Sequence, residues 1–151
     1  MATMQLPDDF SEFLRLLGSH GVEHLLVGGY AVAIHGYPRA TQDLDIWVAV
    51  DPVNAERLVA VLREFGFDDG EVTPEIFLSP DRIVRMGLPP LRLEVLTSVS
   101  GLDFATARGR AVVARIDGID VPVVSLADLR RNKAAAGRPK DLADLAELPE
   151  A

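Results

Sequence analysis

The chain has 151 residues, with 15 Lys and Arg against 23 Asp and Glu, giving a formal net charge of −8 at pH 7. Hydrophobic residues make up 48% and charged residues 25%, the mix of a soluble globular domain, and a chain of this length buries a sizeable core without staples. It has no cysteine and only three histidines, which excludes a disulfide framework, a thiol nucleophile and Cys-ligated zinc, and its acidic balance argues against sequence-independent binding to nucleic acid.

Residues 1–151 read as a single domain. The longest uncharged run, Leu25–Pro38, is too short and too interrupted by Gly, His and Pro to span a membrane. Met1–Asp9 lacks the basic segment of a signal peptide. The expectation is a cytoplasmic protein without membrane contact.

In chain order, Phe10, Phe13, Leu14 and Leu17 recur at helical spacing and predict a helix over Asp8–Gly18. His24–Val27 predicts a buried strand ending at Gly28-Gly29, and Tyr30–His35 a short helix. Asp43–Val50 alternates, with Leu44, Ile46 and Val48 on one face and Asp43, Asp45 and Trp47 on the other. Pro52–Phe65 predicts a helix opened by Pro52 and closed by Gly66. Arg82–Met86 and Leu91–Leu96 predict antiparallel strands around a Gly87–Pro90 turn. Asp103–Arg108 predicts a short helix, and Ala111–Ile116 with Ile119–Val124 a hairpin around Asp117-Gly118. A helix capped by Ser125 runs to Ala136, and another runs from Pro139 to about Leu148. The order implies an α+β fold, a mixed β-sheet with helices mainly on one face.

Asp43 and Asp45 lie two apart on a strand and project on the same side. Adjacent carboxylates repel and need compensation, which a hard cation such as Mg²⁺ provides, bound by one or two carboxylates plus substrate phosphates. The alternative is a solvated edge strand. Gly28-Gly29, between a strand and a helix, lets backbone approach an anion closely. Glu94 lies in an otherwise apolar strand. Beside Asp43–Val50 it completes a three-carboxylate cluster, binding metal or accepting a proton; otherwise it pairs with Arg92 or Arg39. Arg130, Arg131, Lys133, Arg138 and Lys140 form a basic patch, read either as triphosphate contacts or as a solvated helix end. Asp141 and Asp144 share a helical face and pair with Arg138 or Lys140. Arg39 and Thr41 are further phosphate contacts. His35 reads as a structural hydrogen bonder. Trp47 and Tyr30 each read either as stacking partners for a base or as core.

These motifs resemble the nucleotidyltransferase superfamily that includes DNA polymerase β. Its pattern is a Gly-Gly opening a helix, Asp-x-Asp on the next strand and a later third acid, matched by Gly28-Gly29, Asp43-x-Asp45 and Glu94. The stretch GGYAVAIHGYPRATQDLDIWV more narrowly resembles small bacterial nucleotidyltransferases of the AbiEii toxin type. The tail NKAAAGRPKDLADLAEL resembles that group's C-terminal motif through Lys133, Arg138, Lys140, Asp141 and Asp144. The resemblance implies the polymerase β-like fold and transfer of a nucleoside monophosphate from an NTP to RNA, protein or a small molecule, with Mg²⁺ or Mn²⁺ as cofactor. It assigns Asp43 and Asp45 to metal, Gly28 and Gly29 to phosphate, and Lys133 to the nucleotide. A toxin–antitoxin or phage-defence setting with a cognate partner protein goes with it. The chain departs from the pattern in having Glu at the third acidic position and in having only two short helices after the core, where the larger toxins carry a helical second domain. A non-catalytic, antitoxin-like module that covers a partner protein is the rival reading.

Overall fold

The structure, a computed structural model, describes residues 6–67, 70–87 and 91–151. The elements follow as α1 (Asp8–Ser19), β1 (His24–Val27), α2 (Gly28–Ile34), β2 (Asp43–Val48) and α3 (Pro52–Phe65), then a 3-10 turn (Pro74–Leu78). After these come β3 (Ile83–Met86), β4 (Arg92–Leu96), α4 (Phe104–Gly109), β5 (Val112–Ile116), β6 (Ile119–Val123), α5 (Leu126–Ala136) and α6 (Pro139–Glu147).

Among the described residues one mixed sheet runs β3-β4-β2-β1-β6-β5. β1 pairs antiparallel with β2 and parallel with β6, and β2 pairs parallel with β4. β3–β4 and β5–β6 are antiparallel, as the hairpin signals predict. The α+β expectation holds. Residues 88–90 of the Gly87–Pro90 turn lie outside the described residues.

Local chemistry sets the element ends. The Asp51 carboxylate accepts the Asn54 N–H at 3.0 Å and caps α3, with Pro52 in the first turn. Ser125 caps α5 by accepting the Asp128 N–H at 3.2 Å, and left-handed Gly137 ends it. β2 stops at Val48 rather than Val50. There the Ala49 N–H turns to the Glu23 carbonyl, and the Ala49 carbonyl accepts from buried Asn54. α2 begins at Gly28, two residues before the predicted start. It has no capping side chain, and its entry is made by Gly28 at φ +70°, so the usual N-cap signal is missing. The 3-10 turn was not predicted; it carries Phe77 into the core.

Leu44, Ile46 and Val48 are fully buried, and Leu93 and Val95 of β4 join them in the core. Trp47, on the opposite face, is buried under Phe104 of α4 at 5.0 Å edge to face, so it covers the sheet. Tyr30 packs edge-on against Phe10 in the core. The His35 Nε2–H donates to the Val124 carbonyl at 2.7 Å, a structural role.

Candidate active site

Strand register builds the site. Val27 of β1 lies opposite Asp45 of β2, Asp45 opposite Glu94 of β4, and Glu94 opposite Arg85 of β3. One level away, Asp43 lies opposite Arg92. Period-two alternation puts Asp43, Asp45, Glu94 and Arg85 on the same face of the sheet. A cleft of about 620 Å³ opens over this face, within the range of small-ligand sites.

Gly28 follows Val27 directly and stands against Asp45. A Cβ at Gly28 would lie 2.8 Å from the Asp45 carboxyl carbon, and its φ of +70° already disfavours any side chain. A Cβ at Gly29 would lie 3.0 Å from Thr41 Oγ1. Thr41 lies two residues before β2. Its hydroxyl accepts the Asp43 N–H at 3.3 Å, which ties the glycine turn to the start of the acidic strand.

Burial pushes Asp45 up to about 8, helped by a hydrogen bond with Glu94 and by the charges of Glu94 and Asp43, with Lys133 opposing. Burial also pushes Glu94 upward. Hydrogen bonds from Asp45 and Arg85, together with the charges of Arg85 and Arg92, outweigh it and leave Glu94 below its ordinary value. The two shifts run in opposite directions, which makes Asp45 the more readily protonated acid of the pair. Asp45 Oδ1 is buried and has no hydrogen-bond partner among the described residues.

The opposite wall comes from α5 and α6. Lys133 is buried and meets Asp144 at 3.0 Å and Asp141 at 3.3 Å. Arg39 donates twice to Asp144, both at 2.9 Å, and Arg138 donates to Asp141 at 2.6 Å. The result is an alternating chain of charges, Arg39–Asp144–Lys133–Asp141–Arg138. Burial alone would raise both aspartates; their cationic partners overcome it and hold each below the usual range.

The cleft thus gathers Gly28, Gly29, Arg39, Thr41, Asp43, Asp45, Glu94 and Lys133. Three expectations need correction. Glu94 pairs with Arg85, at 2.9 Å, rather than with Arg92 or Arg39, because β3 and not β2 supplies the directly opposing cation. Asp144 pairs with Arg39 and Lys133 rather than with Arg138 or Lys140. The basic patch also divides. Lys133, Arg138 and Lys140 line the cleft, whereas Arg131 pairs with Asp128, and Arg130 donates to the carbonyls of Leu145, in the last turn of α6, and of Leu148 and Pro149 just after it. Helix phase puts position 131 on the other side of α5 from 133, whereas Arg130, a surface neighbour of 133, turns its guanidinium to the carbonyls at the end of α6. Arg85 was missed. Its signal is its parity, since it faces away from Val84 and Met86, which pack against the core.

No family model and no curated protein matches the chain by sequence. Its structure does match solved proteins. A candidate nucleotidyltransferase from Thermotoga maritima, TM1012, superposes with a TM-score of 0.64 at 18% identity, covering 95% of this chain and 94% of that one. The lincosamide antibiotic adenylyltransferase LnuA, solved with lincomycin, gives 0.56 at 12% identity over 94% and 95%. ANT(2″)-Ia, solved with adenylyl-2″-tobramycin, gives 0.53 at 15% identity over 91% and 83%. At these identities the likeness speaks to architecture: the chain has the nucleotidyltransferase fold of polymerase β-like proteins.

Proposed function

We propose that this chain is a divalent-cation-dependent nucleotidyltransferase that moves a nucleoside monophosphate from an NTP to an acceptor hydroxyl, with residues 1–151 acting as one minimal domain. The observation that carries this reading is the cross-sheet row in which the glycine turn, Asp45 and Glu94 stand side by side in one cleft.

The carboxylates fit Mg²⁺, or Mn²⁺ in its place. Asp45 Oδ1 is buried without a partner, and the neighbouring Asp43 and Glu94 carboxylates supply further oxygens. Among the described residues no three His, Asp or Glu side chains are arranged to hold a metal ion by themselves. A hard cation here would take its remaining ligands from water and substrate phosphates. Asp43 and Asp45 would hold it, with Glu94 as third carboxylate, and it would offset charge on the reacting phosphates.

The chain's own groups do the rest. The backbone N–H groups of Gly28 and Gly29 hold the β- and γ-phosphates, and Thr41 fixes the turn. Lys133, Arg39 and Arg138 supply positive charge on the facing wall. Glu94 accepts the acceptor's proton as the hydroxyl oxygen bonds to the α-phosphorus and the bond to pyrophosphate breaks. Positioning and electrostatics account for most of the rate in such a transfer.

The resemblance to AbiEii-type proteins supports a phage-defence or toxin–antitoxin setting with a cognate partner protein, and NTP use fits a cytoplasmic location. No helix among the described residues is long and apolar enough to cross a membrane. The test is thermal stability with each NTP, with and without Mg²⁺ or Mn²⁺, on wild type and Asp43→Asn. Saturation at 100 times Kd adds about 2.7 kcal/mol. A rise in Tm that needs both metal and NTP and is lost in the variant supports the reading. No rise with any NTP overturns it in favour of a non-catalytic module.

A further inference from the structure

In the row Gly28–Asp45–Glu94–Arg85 the two ends differ in chemistry. One end is the glycine turn. The other is Arg85, on edge strand β3, with its side chain 58% exposed. Arg92 is exposed on the same face, two residues before Glu94, and Ile83 is exposed two residues before Arg85. In-line displacement puts the leaving and attacking oxygens on opposite sides of the phosphorus. With the leaving pyrophosphate at the glycine turn, the acceptor hydroxyl arrives from the β4–β3 side. There it meets Glu94 flanked by the Arg85 and Arg92 guanidinium groups, with Asp43 across the ladder from Arg92.

We infer that the acceptor carries a phosphate group beside its reacting hydroxyl, and that Arg85 is the residue that reads it. This rests on the nucleotidyltransferase reading. A cationic acceptor would approach two arginines with Glu94 between them, while Asp43, across from Arg92, would be taken up by the metal. A phosphate ester instead offers Arg85, exposed on edge strand β3, a bidentate partner in exchange for half-buried Glu94. The exchange has a chemical consequence. Arg85 holds Glu94 at 2.9 Å in the structure described. Drawn to the acceptor's phosphate, it frees that carboxylate to take the hydroxyl proton while the oxygen bonds to the α-phosphorus and pyrophosphate leaves. Arg85 thus couples acceptor recognition to release of the base.

The test supplies each α-labelled NTP with Mg²⁺ or Mn²⁺ and one of four acceptors: ribose 5-phosphate, a short oligoribonucleotide with a free 3′-hydroxyl, neutral glycerol, and cationic tobramycin. The expected result is labelling of a phosphate-bearing acceptor at least tenfold above glycerol and tobramycin. The first two acceptors distinguish a small phosphate ester from a polynucleotide end. Arg85→Gln should raise the acceptor KM about tenfold. Arg85→Glu should abolish the preference. Labelling of tobramycin or glycerol as strong as that of the phosphate esters overturns the inference, as does an unchanged preference in Arg85→Gln. Should no acceptor be labelled, the Arg85 Nε–H resonance of ¹⁵N-labelled protein still decides. With NTP analogue and metal bound, it must shift on adding ribose 5-phosphate or the oligonucleotide, and no shift with either overturns the inference. The nucleotide reading fails separately, by loss of the NTP-dependent Tm shift.

Discussion

Asp45 faces Glu94 across the β2–β4 ladder while Gly28 closes on it from β1, so the most strongly perturbed acid in the cleft is hemmed in by a carboxylate and a bare backbone. The fit leaves no room for a methyl group at position 28. Gly28→Ala must accept φ near +70° and push the Asp45 side chain away. The left-handed conformation alone costs roughly 1–2 kcal/mol. Calorimetry should show Tm lowered by ~2–4 °C or more, together with loss of the NTP- and metal-dependent shift. Gly29→Ala meets only the Thr41 side chain and should be milder on both counts.

The crowding of Asp45 has a pH signature. Its folded-state pKa, about 8, lies above the ordinary 3.8. A raised acid favours folding fully below 3.8, and that contribution is lost as pH rises through about 8. Asp45→Asn removes the group from this balance and keeps a donor toward Glu94. Metal-free Asp45→Asn should therefore melt higher than wild type at pH 9, with the gap shrinking toward pH 6. An equal Tm difference at both pH values would contradict the assignment. The same variant should lose the shift with NTP and metal, a trade of stability for function common at sites that crowd like charges.

Lys133 sits among groups that are hard to leave unpaired. Its side chain is 7% exposed, and those of Asp141 and Asp144 are 1% and 6%. Lys133→Met leaves two buried carboxylates, each with one remaining arginine. Breaking a buried pair costs ~3–5 kcal/mol, and the surviving arginines place this case near the lower end. Chemical denaturation should show that loss. Both aspartates are held below their ordinary value. The stability they lend is therefore complete above the ordinary carboxylate range and is lost as pH falls through their lowered values. Lys133→Met should accordingly lose its resistance to acid as well. The double variant Lys133→Met/Asp144→Asn should recover part of the loss, because it removes the orphaned charge.

The elements of this fold are legible in the sequence wherever period and punctuation agree. The Leu44, Ile46, Val48 alternation and the Pro52–Gly66 span place β2 and α3 with little error. The cleft residues were legible because carboxylates on one strand face and a glycine pair after a strand carry their chemistry in their spacing. Partner identity was not. Whether Glu94 meets Arg92, Arg39 or Arg85 depends on strand order and register, and period-two alternation fixes the face of a residue but not its cross-strand neighbour. The same holds for Asp144, whose bidentate partner Arg39 lies 105 residues earlier. Helical spacing shows which residues share a face and not what packs against it.

His24 tests the core independently of the site. It is buried at the start of β1, and its Nδ1–H donates to the Val22 carbonyl at 2.8 Å. Burial lowers its pKa from 6.5; the hydrogen bond to Val22 opposes this and the Arg108 charge adds to it. A depressed histidine contributes stability that is full above 6.5 and is lost as pH falls below it, because the unfolded chain takes up the proton first. Wild-type Tm should therefore decline between pH 7 and pH 5, more steeply than that of His24→Gln, which cannot take up the proton. At pH 8 wild type should melt above the variant, since glutamine fills the imidazole's place less well, at a cost of ~1 kcal/mol typical of a core substitution. Two melting curves per protein decide it. Parallel declines for wild type and variant would show that His24 does not carry the acid sensitivity in this range.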